Sequence, residues 1–168
     1  MRIIKQITAN KFLNIKEVYD PEKHCKGYQF AERRGIDSIA FICFDEHTYK
    51  FLLNKEYTPP TDEFLVRAFG GSLDKEKDLV EIVIDEVKEE AGYTVDKDRV
   101  EFLDKIFVST QMNQYCHLFI VNVTNLKPTG RQPENKIEAM ADIVWLDRDE
   151  IESGSDWKAI SILAKVNL

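Results

Sequence analysis

Glu86, Glu89 and Glu90 stand at i, i+3 and i+4 in the segment IVIDEVKEEAGY. On a helix that spacing places three carboxylates within one turn, over an arc of about 100°. Like charges one turn apart repel. A helix with no use for them would spread them or pair them with lysines. The apolar stripe of the same segment, Val80, Val83, Ile84, Val87 and Ala91, sets Glu90 next to Val83, at the edge of the face that packs. Carboxylates at the rim of a core are costly unless protonated or neutralised. A divalent cation does the second, since Mg²⁺ takes oxygen ligands, usually one or two carboxylates with waters and phosphates. The competing reading is a solvated acidic face on an ordinary helix.

Gly70 and Gly71 precede this segment, between a strand-like run and the helix start. Without side chains, their backbone can approach a ligand closely and offer a carbonyl to a metal or an N–H to phosphate. Asp74 is the expected N-cap of the helix and Gly92 its expected stop.

The elements that must position these groups are mostly strands. RIIKQITANKF, KFLNIKEVYD and GYQFAER read as early strands; DSIAFICFD is more apolar and belongs at the centre. YKFLLNKEY follows across the turn DEHT, and TPPT breaks the chain because prolines rarely sit inside strands. EFLVRAFGG reads as one strand ending at the glycines. VEFLDKIFVST, YCHLFIVNVTNL and ADIVWLD read as three more strands, and DEIESG as a helical turn. DWKAISILAKVNL closes as an amphipathic helix with Trp157, Ile160, Ile162 and Leu163 as candidate core. The class is mixed, α+β, without the regular βαβ alternation of a parallel sheet.

The 168 residues suggest one domain with a real core. A net charge of −7 gives no reason to expect a nucleic acid or an anionic membrane as partner, and an anionic substrate would need local positive charge or a metal. Cys25, Cys43 and Cys116 are widely spaced, and the N-terminus MRIIKQITANKF has no apolar signal-peptide core. No apolar run approaches the roughly 18 residues of a membrane helix. These features lead us to expect a soluble cytoplasmic protein.

The segment from Gly71 to Tyr93 resembles the signature of the Nudix hydrolase family, Gly-x5-Glu-x7-Arg-Glu-U-x-Glu-Glu-x-Gly-U, with U a bulky apolar residue. Gly71, Glu86, Val87, Glu89, Glu90, Gly92 and Tyr93 fill their positions without insertion. Two positions depart: Lys77 replaces the first glutamate, with Glu76 one residue early, and Asp85 replaces the arginine. The reversed charges of Lys77 and Asp85 would attract, but eight residues of straight helix would put them about 12 Å apart, so they meet only if the turn folds back. The run KEYTPP followed by LVRAFGG is similar to the ADP-ribose and nucleoside-diphosphate-sugar pyrophosphatase branch. Thr58 stands where that branch often has an arginine, and Arg67 where it often has a glutamate.

The resemblance implies a Nudix-type α/β/α sandwich with a mixed sheet over residues 35–168, and an N-terminal antiparallel strand extension, residues 1–34, that pairs subunits in a homodimer. It implies hydrolysis of the pyrophosphate of a nucleoside diphosphate linked to another moiety, with Mg²⁺ or Mn²⁺ as cofactor. Glu86 and Glu90 would be the chief metal ligands, Glu89 would assist, and Gly70 would contribute its carbonyl. The general base would be a helix glutamate, or Glu134 or Glu138 from the loop PTGRQPENKIEAMAD. For the substrate, Arg33, Arg34, Arg67 and Gly71 are the candidate contacts. Tyr28 and Phe30 are candidates to stack on a base, and residues 111–114 form a polar tip that suits a substrate loop. The alternative is a catalytically weak or inactive member of the same fold that senses nucleotide sugars or binds a protein, for which Lys77 and Asp85 are the support.

Overall fold

The computed structural model describes residues 1–35, 37–73, 76–154 and 156–166. The expected N-cap Asp74 lies outside them. The chain forms two compact units, passing between them several times. The first comprises Met1–Ser38, Ser72–Glu76 and Lys105–Cys116; the second comprises Ile39–Gly71, Lys77–Asp104 and His117–Leu168.

In the first unit, β1 (Ile3–Gln6), β2 (Leu13–Asp20) and β3 (Cys25–Arg33) form an antiparallel three-stranded sheet. The 109–113 segment docks on β3: Ala31 N–H donates to Gln111 O at 2.8 Å, and the Tyr28 hydroxyl donates to Thr110 O at 2.8 Å. Tyr28 therefore spends its hydroxyl on this loop, and its ring is exposed.

The core lies on a seven-stranded sheet. Its strands are β4 (Ser38–Asp45), β5 (Lys50–Thr58), β6 (Glu63–Arg67), β7 (Phe69–Ser72), β8 (Val100–Phe107), β9 (Tyr115–Asn122) and β10 (Asp142–Leu146). The main order is β10-β5-β4-β9-β8, with β6 on β5 and β7 on β4. β4, the most apolar run, is central and buried from Ser38 through Cys43. The helices are α1 (Leu79–Glu86), α2 (Lys136–Ala139), α3 (Arg148–Glu152) and α4 (Trp157–Leu163). This is a mixed α+β fold with a mixed sheet and few helices. Among the described residues no helix is long and apolar enough to cross a membrane.

Three local expectations change. EFLVRAFGG is two strands, because the chain leaves β5 for β4 at Ala68. The Ala68 N–H donates instead to Asp156 Oδ2 at 2.7 Å, and that oxygen also caps α4 through Ala159 N at 3.2 Å. Trp157 is exposed, and α4 buries Ala159, Ile162 and Leu163. Those three share one face at i, i+3 and i+4, whereas Trp157 is about 200° from Ala159. On α1 the buried stripe runs through Ile82 and Val83 to Val87 and Ala91, leaving Val80 and Ile84 half-buried.

Candidate active site

α1 begins at Asp78, whose carboxylate accepts from Val80 N at 2.9 Å. A carboxylate there satisfies one of the orphan N–H groups of the first turn and complements the helix dipole. After Glu86 the helix loosens into a π turn, Val87–Ala91, and stops at Gly92 with φ 75°. Such turns are rare and gather at functional sites. Glu86 therefore closes the α-helical part, while Glu89 and Glu90 ride on the π turn.

β7 brings the glycines to this helix. Phe69 anchors the strand, stacked on Phe41 with ring centroids 5.1 Å apart. Gly70 N–H donates to Glu90 Oε2 at 3.3 Å. A Cβ on Gly71 would stand 2.5 Å from Glu86 Oε1, and one on Gly70 would stand 2.8 Å from Ile39 O. At Gly70 backbone blocks a side chain, and at Gly71 one would have to displace the Glu86 carboxylate. Glu90 is largely buried, and burial pushes its carboxyl up to about 8. The charge of Glu86 adds to the rise, the Gly70 N–H opposes it, and Glu138 and Glu56 raise it further. Glu86, Glu90, Gly70 and Gly71 are thus together, with Glu138 and Glu56 within electrostatic reach.

The other candidates divide. Glu89 is half-buried and its charge acts on Lys77; its backbone carbonyl accepts from Gln132 N at 2.8 Å. Glu138 is half-buried and accepts the Glu134 N–H at 2.7 Å; Glu134 itself is exposed. Arg67 is ion-paired to Glu56 at 2.5 Å, and Arg67 Nε and Asn54 Oδ1 are buried without hydrogen-bond partners. Arg33 and Arg34 lie in the first unit, where Arg33 Nη2 donates to Ser72 Oγ at 3.2 Å. A cleft of about 560 Å³ lined by Phe44, Tyr49, Asp147 and neighbours contains none of these residues.

Lys77 and Asp85 meet: Nζ and Oδ2 are 2.7 Å apart. Lys77 sits ahead of the α1 cap rather than eight residues down a straight helix. Its long side chain spans the rest. The hydrogen bond to Asp85, then its charge, hold the Lys77 ammonium above its ordinary range.

Among the described residues no three His, Cys, Asp or Glu side chains converge as a ready-made metal cage. The donor chemistry nevertheless suits a hard cation. Two adjacent carboxylates, one of them carrying a proton near neutrality, face a glycine turn that only backbone fills. Mg²⁺ draws its remaining ligands from water and phosphate. Gly71→Ala is expected to displace Glu86 and weaken Mn²⁺ binding about tenfold, with little change in melting temperature because the flexible carboxylate gives way. Isothermal titration beside thermal melting checks this.

No family model matches the chain. Among solved structures it superposes on one described as an ADP compounds hydrolase with a TM-score of 0.75, covering 96% of this chain and 88% of that one at 14% identity. The chain has the Nudix fold. An ADP-ribose pyrophosphatase of Saccharomyces cerevisiae is 24% identical over 151 residues, 82% of this chain. The chain spans 64% of that relative's length. In this chain Gly71 lies against Glu86 and Gly70 donates to Glu90, so the two ends of the EUxEE run meet the glycine turn.

The sequence reading missed Arg131, Asp156 and Glu56. Asp156 carries a recognisable signal, an acid just before an amphipathic helix. Arg131 and Glu56 carry none: Arg131 bonds only backbone carbonyls, and Glu56 pairs with Arg67 on the neighbouring strand.

Proposed function

We propose that this chain is a divalent-metal-dependent Nudix hydrolase that cleaves the pyrophosphate of an ADP-sugar such as ADP-ribose. The observation that carries the reading is the meeting of Glu86 and Glu90 with the Gly70–Gly71 turn, where Glu90 is displaced to about 8. Mg²⁺ or Mn²⁺ held by these carboxylates would neutralise the diphosphate and make a water more acidic. Glu89 has the weaker claim as a ligand, because the glycine turn is met by Glu86 and Glu90. Among the loop carboxylates Glu138 is the better base, since it lies close enough to act on Glu90. A base must reach the water it deprotonates. Arg67, at the same strand pair as Glu56, supplies the positive charge that an acidic protein needs beside a diphosphate. The Lys77–Asp85 ion pair favours retained chemistry over the sensing alternative, because the reversed charges still brace the helix start.

The test is a panel of ADP-ribose, other nucleotide sugars and dinucleoside polyphosphates, with Mg²⁺ or Mn²⁺ and product masses read by mass spectrometry. Release of AMP from ADP-ribose supports the reading. Binding without turnover across the panel overturns it in favour of sensing.

The homodimer belongs to the same proposal. Ile3, Ile4, Phe12 and Leu13 expose apolar side chains at and beside the β1–β2–β3 sheet, apolar surface that a second copy would cover. Light scattering is expected to give twice the chain mass of 19.5 kDa. A monomer at micromolar concentration would count against it. The cytoplasm is the compartment we propose, since no disulfide joins Cys25, Cys43 and Cys116.

A further inference from the structure

We propose that Arg131 is a positioning residue of this site: its guanidinium ties the main chain beneath Glu90 to the main chain beneath Glu138, fixing the loop carboxylate relative to the helix carboxylate. The inference rests on the functional reading above for its meaning, and on hydrogen bonds for its geometry.

The end of any helix leaves carbonyls without partners. Here the 129–132 segment takes them. Thr129 N–H donates to Gly92 O at 2.7 Å, Gln132 N–H to Glu89 O at 2.8 Å, and Arg131 Nε to Glu90 O at 2.6 Å. The other edge of the same guanidinium turns to the base loop. Arg131 Nη2 donates to Glu138 O at 3.1 Å, and Nη1 donates to Ala141 O. Ala141 is buried and leads into β10, which pairs with the Glu56 strand through Asp142 and Lys55. One planar cation thus joins the carboxylate turn, the α2 loop and the sheet. The fit is close: a Cβ on Gly92 would stand 3.1 Å from Arg131 N and 3.2 Å from its Cγ. A lysine reproduces the charge but not the fork, so it can hold one of these carbonyls and not all three.

A plain loop anchor and a positioning residue differ in what they move. Arg131→Lys is expected to lower kcat between about 10- and 100-fold, the cost of a misplacement near 1 Å. KM and Mn²⁺ affinity should stay within about threefold, because Glu86 and Glu90 keep their places. Arg131→Lys combined with Glu138→Gln should be no slower than Glu138→Gln alone, since the two act as one unit. Asp147→Ala, which removes the capping box of α3, serves as a variant destabilised elsewhere and should leave kcat unchanged. Multiplicative losses in the double variant, or a fall in Mn²⁺ affinity that follows melting temperature, would overturn the proposal.

Amide hydrogen exchange reads the geometry without turnover. The amides of Glu138–Ala141 should exchange faster in Arg131→Lys while those of β4 do not; equal exchange rates also overturn the proposal. If the wild type hydrolyses nothing, the functional reading fails while this exchange result still decides whether Arg131 fixes the loop. Arg131→Gln, which keeps a donor for one carbonyl, replaces Arg131→Lys if the latter does not fold.

Discussion

Glu90→Gln should lower turnover by about 10³-fold or more, weaken Mn²⁺ binding beyond ready detection, and yet melt higher than the wild type at pH 8 without metal. The first two effects follow from removing a charged ligand: three orders of magnitude correspond to about 4 kcal/mol of lost transition-state stabilisation. The third follows from proton linkage. In the unfolded chain a glutamate ionises near pH 4.3, whereas in the fold burial first, then the charge of Glu86, push Glu90 up to about 8. The native state therefore holds a proton that the unfolded state has lost. Stability from this group is complete below about pH 4, falls as pH rises, and is gone above pH 8. The difference is on the order of a few kcal/mol. Glutamine keeps an acceptor for the Gly70 N–H without ever ionising. Melting curves at pH 5 and pH 8 for both proteins check the sign. A variant less stable than wild type at pH 8, or one that still binds Mn²⁺ tightly, would contradict the assignment.

Mn²⁺ affinity of the wild type is expected to rise about 100-fold from pH 6 to pH 8 and to level off above. A cation must displace the proton from Glu90 before the carboxylate can ligate it. Below the displaced value, affinity climbs about tenfold per pH unit, because each unit multiplies the ionised fraction by ten. Binding at pH 6.5 should release close to one proton, measurable by titration calorimetry in buffers of different ionisation enthalpy. Pre-ionised surface carboxylates would give an affinity nearly flat over this range, and that result would remove Glu90 from the ligand set.

The sequence disclosed which candidate residues stand near one another better than it disclosed their scaffolding, and the reasons are local. Glu86, Glu89, Glu90 and Gly92 lie on one short segment, where helical spacing alone predicts which groups meet. Gly71 was legible because a glycine between strand and helix has few other uses. An acid precedes the apolar run at both Asp74 and Asp78; Asp78 caps α1, and Asp74 lies outside the described residues. The division of EFLVRAFGG at Ala68 was invisible, since changing neighbours within a sheet leaves no mark on alternation. The meeting of Lys77 and Asp85 needed a bend that a straight-helix estimate excludes. Arg131 escaped notice because all three of its side-chain partners are backbone carbonyls, which every residue possesses.

The bond from Ala68 to Asp156 spans 88 positions of the chain. As the polypeptide leaves the ribosome, the glycine turn and the acidic helix emerge well before the aspartate that secures the crossover between strands. A nascent chain therefore carries its acids before the bond that secures the crossover can form.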